Sequence, residues 1–353
     1  MSRPYRHTTP VQPKAATGRV AAVYAQMEQD FLLADGPLMS LSPAPELLAA
    51  TWALLREAEI VGTAGRAAKE AVASAVSLAN RCPFCTEAHA LLAHGAGDHG
   101  LAEAARAGHA PDDRRHAALL AWAGATRSPG DPALAAPPFP AAQAPEFLGT
   151  ALVTHFINRM VTSLLDEDAL LPSAVRRSAY VRRAAALTVG RAARRRPEPG
   201  AGLDVLDGLD LLDGVGGVDG VDAPAWAGPG PIGRAYGTLA ATASAGGGLL
   251  GLSARAAVLA AVAAWDGAHP ALGGDPVAAA LGDVPPAERP AARLALLAAL
   301  APYRITDADV AAWRQVGGGG GDGGGRDGEL TRVLAFGAIT ATVRVEGWLT
   351  DNS

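Results

Sequence analysis

The sequence is sparing with the residues that usually announce a function. Of its 353 residues only two are cysteines and 5% are aromatic. Two cysteines exclude a small secreted scaffold held by several disulfides, and with none to spare they point to a reducing compartment. Long apolar runs are missing as well. The longest, around 117–125, falls far short of the roughly 20 residues of a membrane span. Charge of one sign is not concentrated either, since a formal net charge of −5 gives no electrostatic reason to expect nucleic acid as a partner. The opening MSRPYRHTTPVQPKAATG is polar and proline-bearing and lacks the apolar centre of a signal peptide. A soluble, cytoplasmic chain is expected.

What the chain does have is alanine. Hydrophobic residues make up 49% of it, β-branched runs are short, and the length gives room for two domains with sizeable cores. That composition predicts an all-α fold.

Both cysteines lie in one stretch, EAVASAVSLANRCPFCTEAH, from Glu70 to His89. Eleven residues separate Glu70 from Cys82, two separate Cys82 from Cys85, and three separate Cys85 from His89. Asn80 and Arg81 interrupt the apolar run, which predicts a turn between an upstream helix carrying Glu70 and a downstream helix starting near Cys82. Pro83 suits the first helical position. Cys82 then falls at an N-cap and Cys85 in the first turn, where the helix dipole favours a thiolate. His89 shares the face of Cys85. On one unbroken helix Glu70 would stand roughly 18 Å from Cys82, so the turn is required for the four groups to meet.

The chemistry this set fits is two-electron thiol redox. One thiolate attacks a peroxide oxygen or a disulfide, and the second cysteine then closes a disulfide with it. His89 is the candidate base for the thiol proton, and Glu70, directly or through a water, the group that returns it. Two other readings compete. The pair could be half of a zinc site completed by His89 with His94 or Glu70, or an inert pair packed around Pro83 and Phe84. Structural zinc usually recruits more thiolates, and no second CxxC exists.

The motif resembles the AhpD-like alkylhydroperoxidase group of the carboxymuconolactone decarboxylase family. The match is Glu70, Cys82, Cys85 and His89 at that group's spacing, and it extends over roughly 20–170 through PELLAATWALLREAEI and FLGTALVTHFINRMVTSLL. The resemblance implies an AhpD-like helical bundle in which Cys85 reacts with peroxide, Cys82 resolves, and Glu70 with His89 relays protons. Phe84 stands where some members carry an extra histidine. No metal or organic cofactor is implied. The implied partners are a hydroperoxide, a dithiol or protein-thiol reductant, and a second copy of the chain; neither nucleic acid nor membrane is among them. Its rivals are a general thiol–disulfide oxidoreductase, a non-enzymatic redox sensor and, on the superfamily's other branch, a decarboxylase.

Along the chain, residues 1–16 read as a loose arm and 17–175 as the catalytic domain. Helices are expected from Gly18, over 46–60, where the helix should pack on the Glu70 helix, and over 146–165. His155 and Arg159 on the last are candidates for lining the pocket beside Phe84. His94 and His99 in HGAGDHG read as solvated turn residues, and His109 and His116 as surface. Residues 127–145 form a proline-rich loop. The 176–230 stretch combines an arginine-rich helix with a Gly/Asp-rich segment, AGLDVLDGLDLLDGVGGVDGVD, expected to be a mobile linker. GPGPIG at 228–233 fits a dinucleotide fingerprint only formally, because no strand pattern precedes it. Residues 231–353 read as a degenerate second copy: setting Arg255 on Arg66 puts Leu259 in the place of Glu70, no cysteine falls opposite Cys82 or Cys85, and Arg344 falls near the place of Arg159.

Overall fold

Segments rich in alanine and leucine, punctuated by proline and glycine, build helices throughout, and no β-strand occurs among the described residues. The computed structural model describes residues 4–31, 36–166, 184–187, 190, 193–209, 222–271, 273–316 and 323–350. Its helices are α1 (Gly18–Phe31), α2 (Pro45–Leu55), α3 (Arg66–Ala79), α4 (Pro83–Ala96), α5 (His99–Ala107), α6 (Arg114–Ala125) and α7 (Ala144–Leu164). After the 3-10 turn Ala201–Leu206 come α8 (Pro231–Ala245), α9 (Leu252–Ala263), α10 (Arg289–Leu300), α11 (Asp307–Val316) and α12 (Gly323–Thr350). The fold is all-α, as the composition predicts. No described helix is long and apolar enough to cross a membrane.

Helix starts follow local chemistry. A proline opens α2, α4, α7 and α8 within the first two positions, where a missing N–H is harmless. Asp98 caps α5 by accepting from Leu101 N, and Asp113 caps α6 by accepting from Arg115 N and His116 N.

One continuous core runs through both halves of the chain. In it α3 packs against α4, α5, α6 and α7, while α8 packs on α2 and α12 on α7. Trp52, Trp122, Phe156 and Met160 are buried at its centre, and burying a side chain of that kind contributes about 1.5–3 kcal/mol or more. The expected packing of the 46–60 helix on the Glu70 helix is made by its last turn. Helix α2 lies mainly against α8, α1 and α7, and it is the π-helical turn continuing it, Arg56–Ile60, that reaches α3. A π turn adds a residue per turn, so the side chains of 56–60 leave the face that α2 presents.

The expected linker is also different where it is described. Residues 201–206 dock on α1 and α2, with Leu206 fully buried, and Glu57 accepts from Gly200 N at 2.8 Å and Gly202 N at 3.0 Å. Arg176, Arg177, Arg182, Arg183 and Arg191, with Asp210, Asp213 and Asp219, lie outside the described residues. Beyond it, α9 is followed by a long connection containing the short turn Ala279–Leu281, whereas α3 is followed by α4 and α5. Leu259 on α9 is 44% exposed.

Candidate active site

The turn between α3 and α4 is built by two backbone hydrogen bonds. Cys82 N donates to Ser77 O at 2.9 Å and Arg81 N to Leu78 O at 3.1 Å, while Arg81 takes a left-handed φ of 58°. This is a Schellman cap, with arginine where glycine is usual. It reverses the chain within three residues, so that Cys82 closes α3 and at once serves as N-cap of α4. Thr86 N donates to Cys82 O at 3.0 Å, and Ser74 Oγ ties Thr86 O back to α3 at 3.0 Å. Both cysteines are thiols: Cys82 is fully buried and Cys85 is 3% exposed.

The reversal lays α4 along α3 and brings His89 to Glu70. His89 Nδ1–H donates to Glu70 Oε2 at 2.8 Å, with Glu59 Oε1 at 3.3 Å from the same nitrogen. On the other side of Glu70, Arg66 Nε donates to Oε1 at 2.6 Å. Burial alone would raise the Glu70 pKa, but Arg66 and then His89 override it and hold it down to about 2. For His89 burial pulls the other way, and the Glu59 and Glu70 carboxylates push its pKa up to about 10. Glu59 is raised, by burial first and by the charge of Glu70 second. At neutral pH the pair is therefore carboxylate and imidazolium, and one expectation changes: an imidazolium cannot accept the thiol proton. It can stabilise a thiolate or donate from Nε2.

Glu59 was not among the residues expected at the site. Its signal in the sequence is faint: two carboxylates, Glu57 and Glu59, beside Arg56 in the largely apolar TWALLREAEIVG. The π turn separates them, sending Glu57 to the 200–202 backbone and Glu59 to His89. The loop from that turn into α3 is held by Glu146 of α7, which accepts from Thr63 N at 2.8 Å, Ala64 N at 3.0 Å and Lys69 Nζ at 2.9 Å. Gly62, at φ 109°, lies where any Cβ would collide with that carboxylate. Residues 59–70 are thus fixed at both ends before α4 is added.

Among the described residues, Glu59, Glu70 and His89 are the one group of three whose ligand atoms lie within 4.8 Å of one another. Neither cysteine joins it, and His94 is turned away, its ring nitrogens 2.9 Å from His99 Nδ1 and 2.9 Å from Glu103 Oε1. The thiolate zinc set is not assembled. His94 is also buried, which corrects its reading as a solvated turn residue: it belongs to the last turn of α4, facing α5.

With this geometry in view, similarity to known proteins becomes decisive. The chain is 36% identical over 348 residues, 97% of its own length and 94% of the relative's, to alkyl hydroperoxide reductase Rv2159c of Mycobacterium tuberculosis. It belongs to the AhpD-like alkylhydroperoxidase family. No protein-family model matches it. No solved structure matches it.

Of the remaining residues expected at the pocket of this AhpD-like chain, Phe84 lies between the two cysteines, and His155 and Arg159 lie on α7. Phe84 is half-buried against the core in the first turn of α4. His155 and Arg159 lie behind the Cys82 turn, reached through Asn80. Asn80 Nδ2 donates to His155 Nδ1 at 3.0 Å and to Asn158 Oδ1 at 2.9 Å. Thr126 gives its hydroxyl hydrogen to Ala123 O at 2.8 Å, so His155 Nε2 carries the hydrogen in its 2.8 Å bond to Thr126 Oγ1. Burial, then Arg159 and Arg127, push the His155 pKa well below the ordinary value, and the ring is neutral. These residues hold the turn; they do not touch Glu70 or His89.

Proposed function

We propose that the chain is a thiol-dependent peroxidase that reduces alkyl hydroperoxides, with Cys85 as attacking thiol and Cys82 as resolving thiol. The observation that carries the reading is the Cys82–Pro83–Phe84–Cys85 turn set one helical turn before an imidazolium that is hydrogen-bonded to Glu70. Its support from outside the chain is the similarity to alkyl hydroperoxide reductase Rv2159c.

In this reading the Cys85 thiol gives its proton to solvent, from which His89 is reprotonated after each turnover, and the thiolate attacks the terminal oxygen of the hydroperoxide. The S–O bond forms, the O–O bond breaks, and the departing alkoxide takes a proton from His89 Nε2 to leave as an alcohol. Glu70 keeps His89 oriented and charged through Nδ1. Cys82 sulfur then attacks the sulfenic sulfur of Cys85; the S–S bond forms and the oxygen leaves as water with the second thiol proton. A dithiol or protein-thiol donor returns two electrons and two protons. Cys85, the slightly more exposed thiol, suits the attacking role and fully buried Cys82 the resolving one. On the same reading residues 231–353 are a degenerate copy of the first half that covers its apolar face.

The test is stopped-flow mixing of reduced protein with an organic hydroperoxide, counting thiols. Both thiols should disappear at one equivalent. Cys85→Ser should abolish turnover, and Cys82→Ser should stop at a single-turnover sulfenic acid. Thiols that survive excess peroxide in the wild type would overturn the reading and favour disulfide exchange.

A further inference from the structure

Behind the Cys82 turn, where the end of α6 and the middle of α7 meet residues 265–269 and 299–303, lies a small cavity lined by Asn80, Arg127, Asn158, Arg159 and His269. It has room for about one species of water size. Two of its lining residues are arginines, Arg127 7% exposed and Arg159 3%.

Each guanidinium is fixed along one edge. Arg127 donates from Nε to Gly267 O at 2.8 Å, and from Nη1 to Asn80 Oδ1 at 3.1 Å and Ala79 O at 3.3 Å. Arg159 donates from Nε to Ala299 O at 2.9 Å and from Nη1 to His155 O at 2.7 Å, with His155 Nδ1 at 3.5 Å. On both residues the two N–H groups of Nη2 have no acceptor among the described residues.

Among the described residues no carboxylate supplies the opposite charge. Both groups stack on Trp265, at 5.3 and 5.6 Å from the ring centroid, which offsets part of the charge without neutralising it. His269 is neutral, its pKa lowered to about 4 by burial and by Arg127, and its Nε2–H is used on Ala79 O at 2.9 Å. The Asn80 and Asn158 amides are already paired with His155, Ser77 and each other. Among the described residues the ionisable groups that bear on the pair are the Tyr303 phenol and Arg81 on Arg127, and Arg127 on Arg159; no carboxylate acts on either. The wall is also built for close approach. Gly267, at φ 87°, lies where a Cβ would collide with the Arg127 carbonyl. A water in the cavity would leave two buried positive charges uncompensated, a costly arrangement.

We propose that this cavity binds one small inorganic anion of halide size, chloride in the first instance, held by the Nη2 N–H groups of Arg127 and Arg159. Tetrahedral oxyanions are too large for the space. Because Arg127 also holds Asn80, the C-cap residue of α3, the ion braces the turn that carries Cys82.

The experiment uses the full chain, moved from chloride into gluconate at constant ionic strength. Adding sodium chloride or bromide should raise Tm by roughly 2–4 °C once the halide reaches about ten times its Kd, and sodium sulfate should not. Chloride-35 NMR should show saturable line broadening that Arg127→Gln and Arg159→Gln abolish. Should those variants fail to fold, bromide-soaked wild-type crystals give the same answer through an anomalous peak between the two guanidinium groups. Equal stabilisation by sulfate, or an anomalous map without that peak, would overturn the proposal.

Discussion

Two histidines of this chain, His89 half-buried and His155 fully buried, lie within one short stretch of structure and end in opposite charge states. His89 is flanked by Glu59 and Glu70 and is held up to about 10; His155 is flanked by Arg127 and Arg159 and is pushed well below its ordinary value. Burial works against the charge in both. Neighbours decide the outcome. The reversing turn at Asn80–Cys82 divides an acidic front, which carries the proposed chemistry, from a cationic back, which holds the turn in place. The lesson is that burial of an imidazole says little about its charge until its partners are named.

The largest effect expected from breaking this comparison is Glu70→Gln. It removes the anion between Arg66 and His89, so peroxide turnover should fall by about 10²–10⁴ and stability by about 3–5 kcal/mol as an unpaired buried cation is left behind. Hydroperoxide kinetics and urea unfolding check the two parts separately. Turnover within threefold of wild type would remove Glu70 from the machinery.

Next is the divider itself. Asn80→Ala leaves His155 Nδ1, Asn158 Oδ1 and one Arg127 N–H without their partner, and should cost about 2–3 kcal/mol. Turnover should drop with it, because Cys82 is positioned two residues on. The same loss of stability with unchanged turnover would show that the back of the turn does not position the cysteines.

How much of this could be read beforehand follows the range of the interactions. The α3–turn–α4 unit was legible because its determinants are local: Asn80 and Arg81 break an apolar run, Pro83 starts a helix, and helical spacing puts Cys85 and His89 on one face. The all-α class was legible from composition for the same reason. Glu59 was not, because a π turn eleven residues upstream aims it, and no short-range pattern encodes that aim. Nor was the division of labour between His89 and His155. Each is a histidine on an amphipathic helix, and the groups that set their charge come from other elements: Glu59 from the 56–60 turn, Arg127 from the end of α6. The docking of 201–206 escaped for a related reason, since a Gly/Asp-rich string reads as linker until Glu57 is seen to collect its N–H groups.

A smaller effect, and a sharper test of opposite charge states, is the pH dependence of stability. His89 has a folded pKa above its unfolded 6.5, so its contribution is complete below about pH 6.5 and is lost as pH rises through about 10. His155 has a folded pKa below 6.5, so the unfolded chain binds the extra proton, and stability falls as pH drops below about 6.5. Each limb has a slope of about 1.4 kcal/mol per pH unit per proton. Urea midpoints across pH should show His89→Gln flattening the alkaline limb and His155→Gln the acid one. If either variant flattens the other's limb, the two assignments are reversed.

The smallest effect at neutral pH is expected from Glu59→Gln, although Glu59 lies against the same imidazole as Glu70. Its carboxyl is buried, is raised by burial and by the charge of Glu70, and has no guanidinium bonded to it as Glu70 has Arg66. A carboxamide has nearly the same shape as the carboxyl and leaves the Glu70 carboxylate in place between Arg66 and His89, so the substitution should change stability by less than about 1 kcal/mol and turnover by less than about tenfold. What it should change is His89, which loses one of the two carboxylates that raise it, so the alkaline limb of the stability profile should move toward lower pH. Proton NMR of the His89 ring gives that shift directly. A Glu59→Gln variant as damaged at pH 7 as Glu70→Gln would mean that Glu59 supports His89 as strongly as Glu70 does, and that the bond from Arg66 does not set the two carboxylates apart.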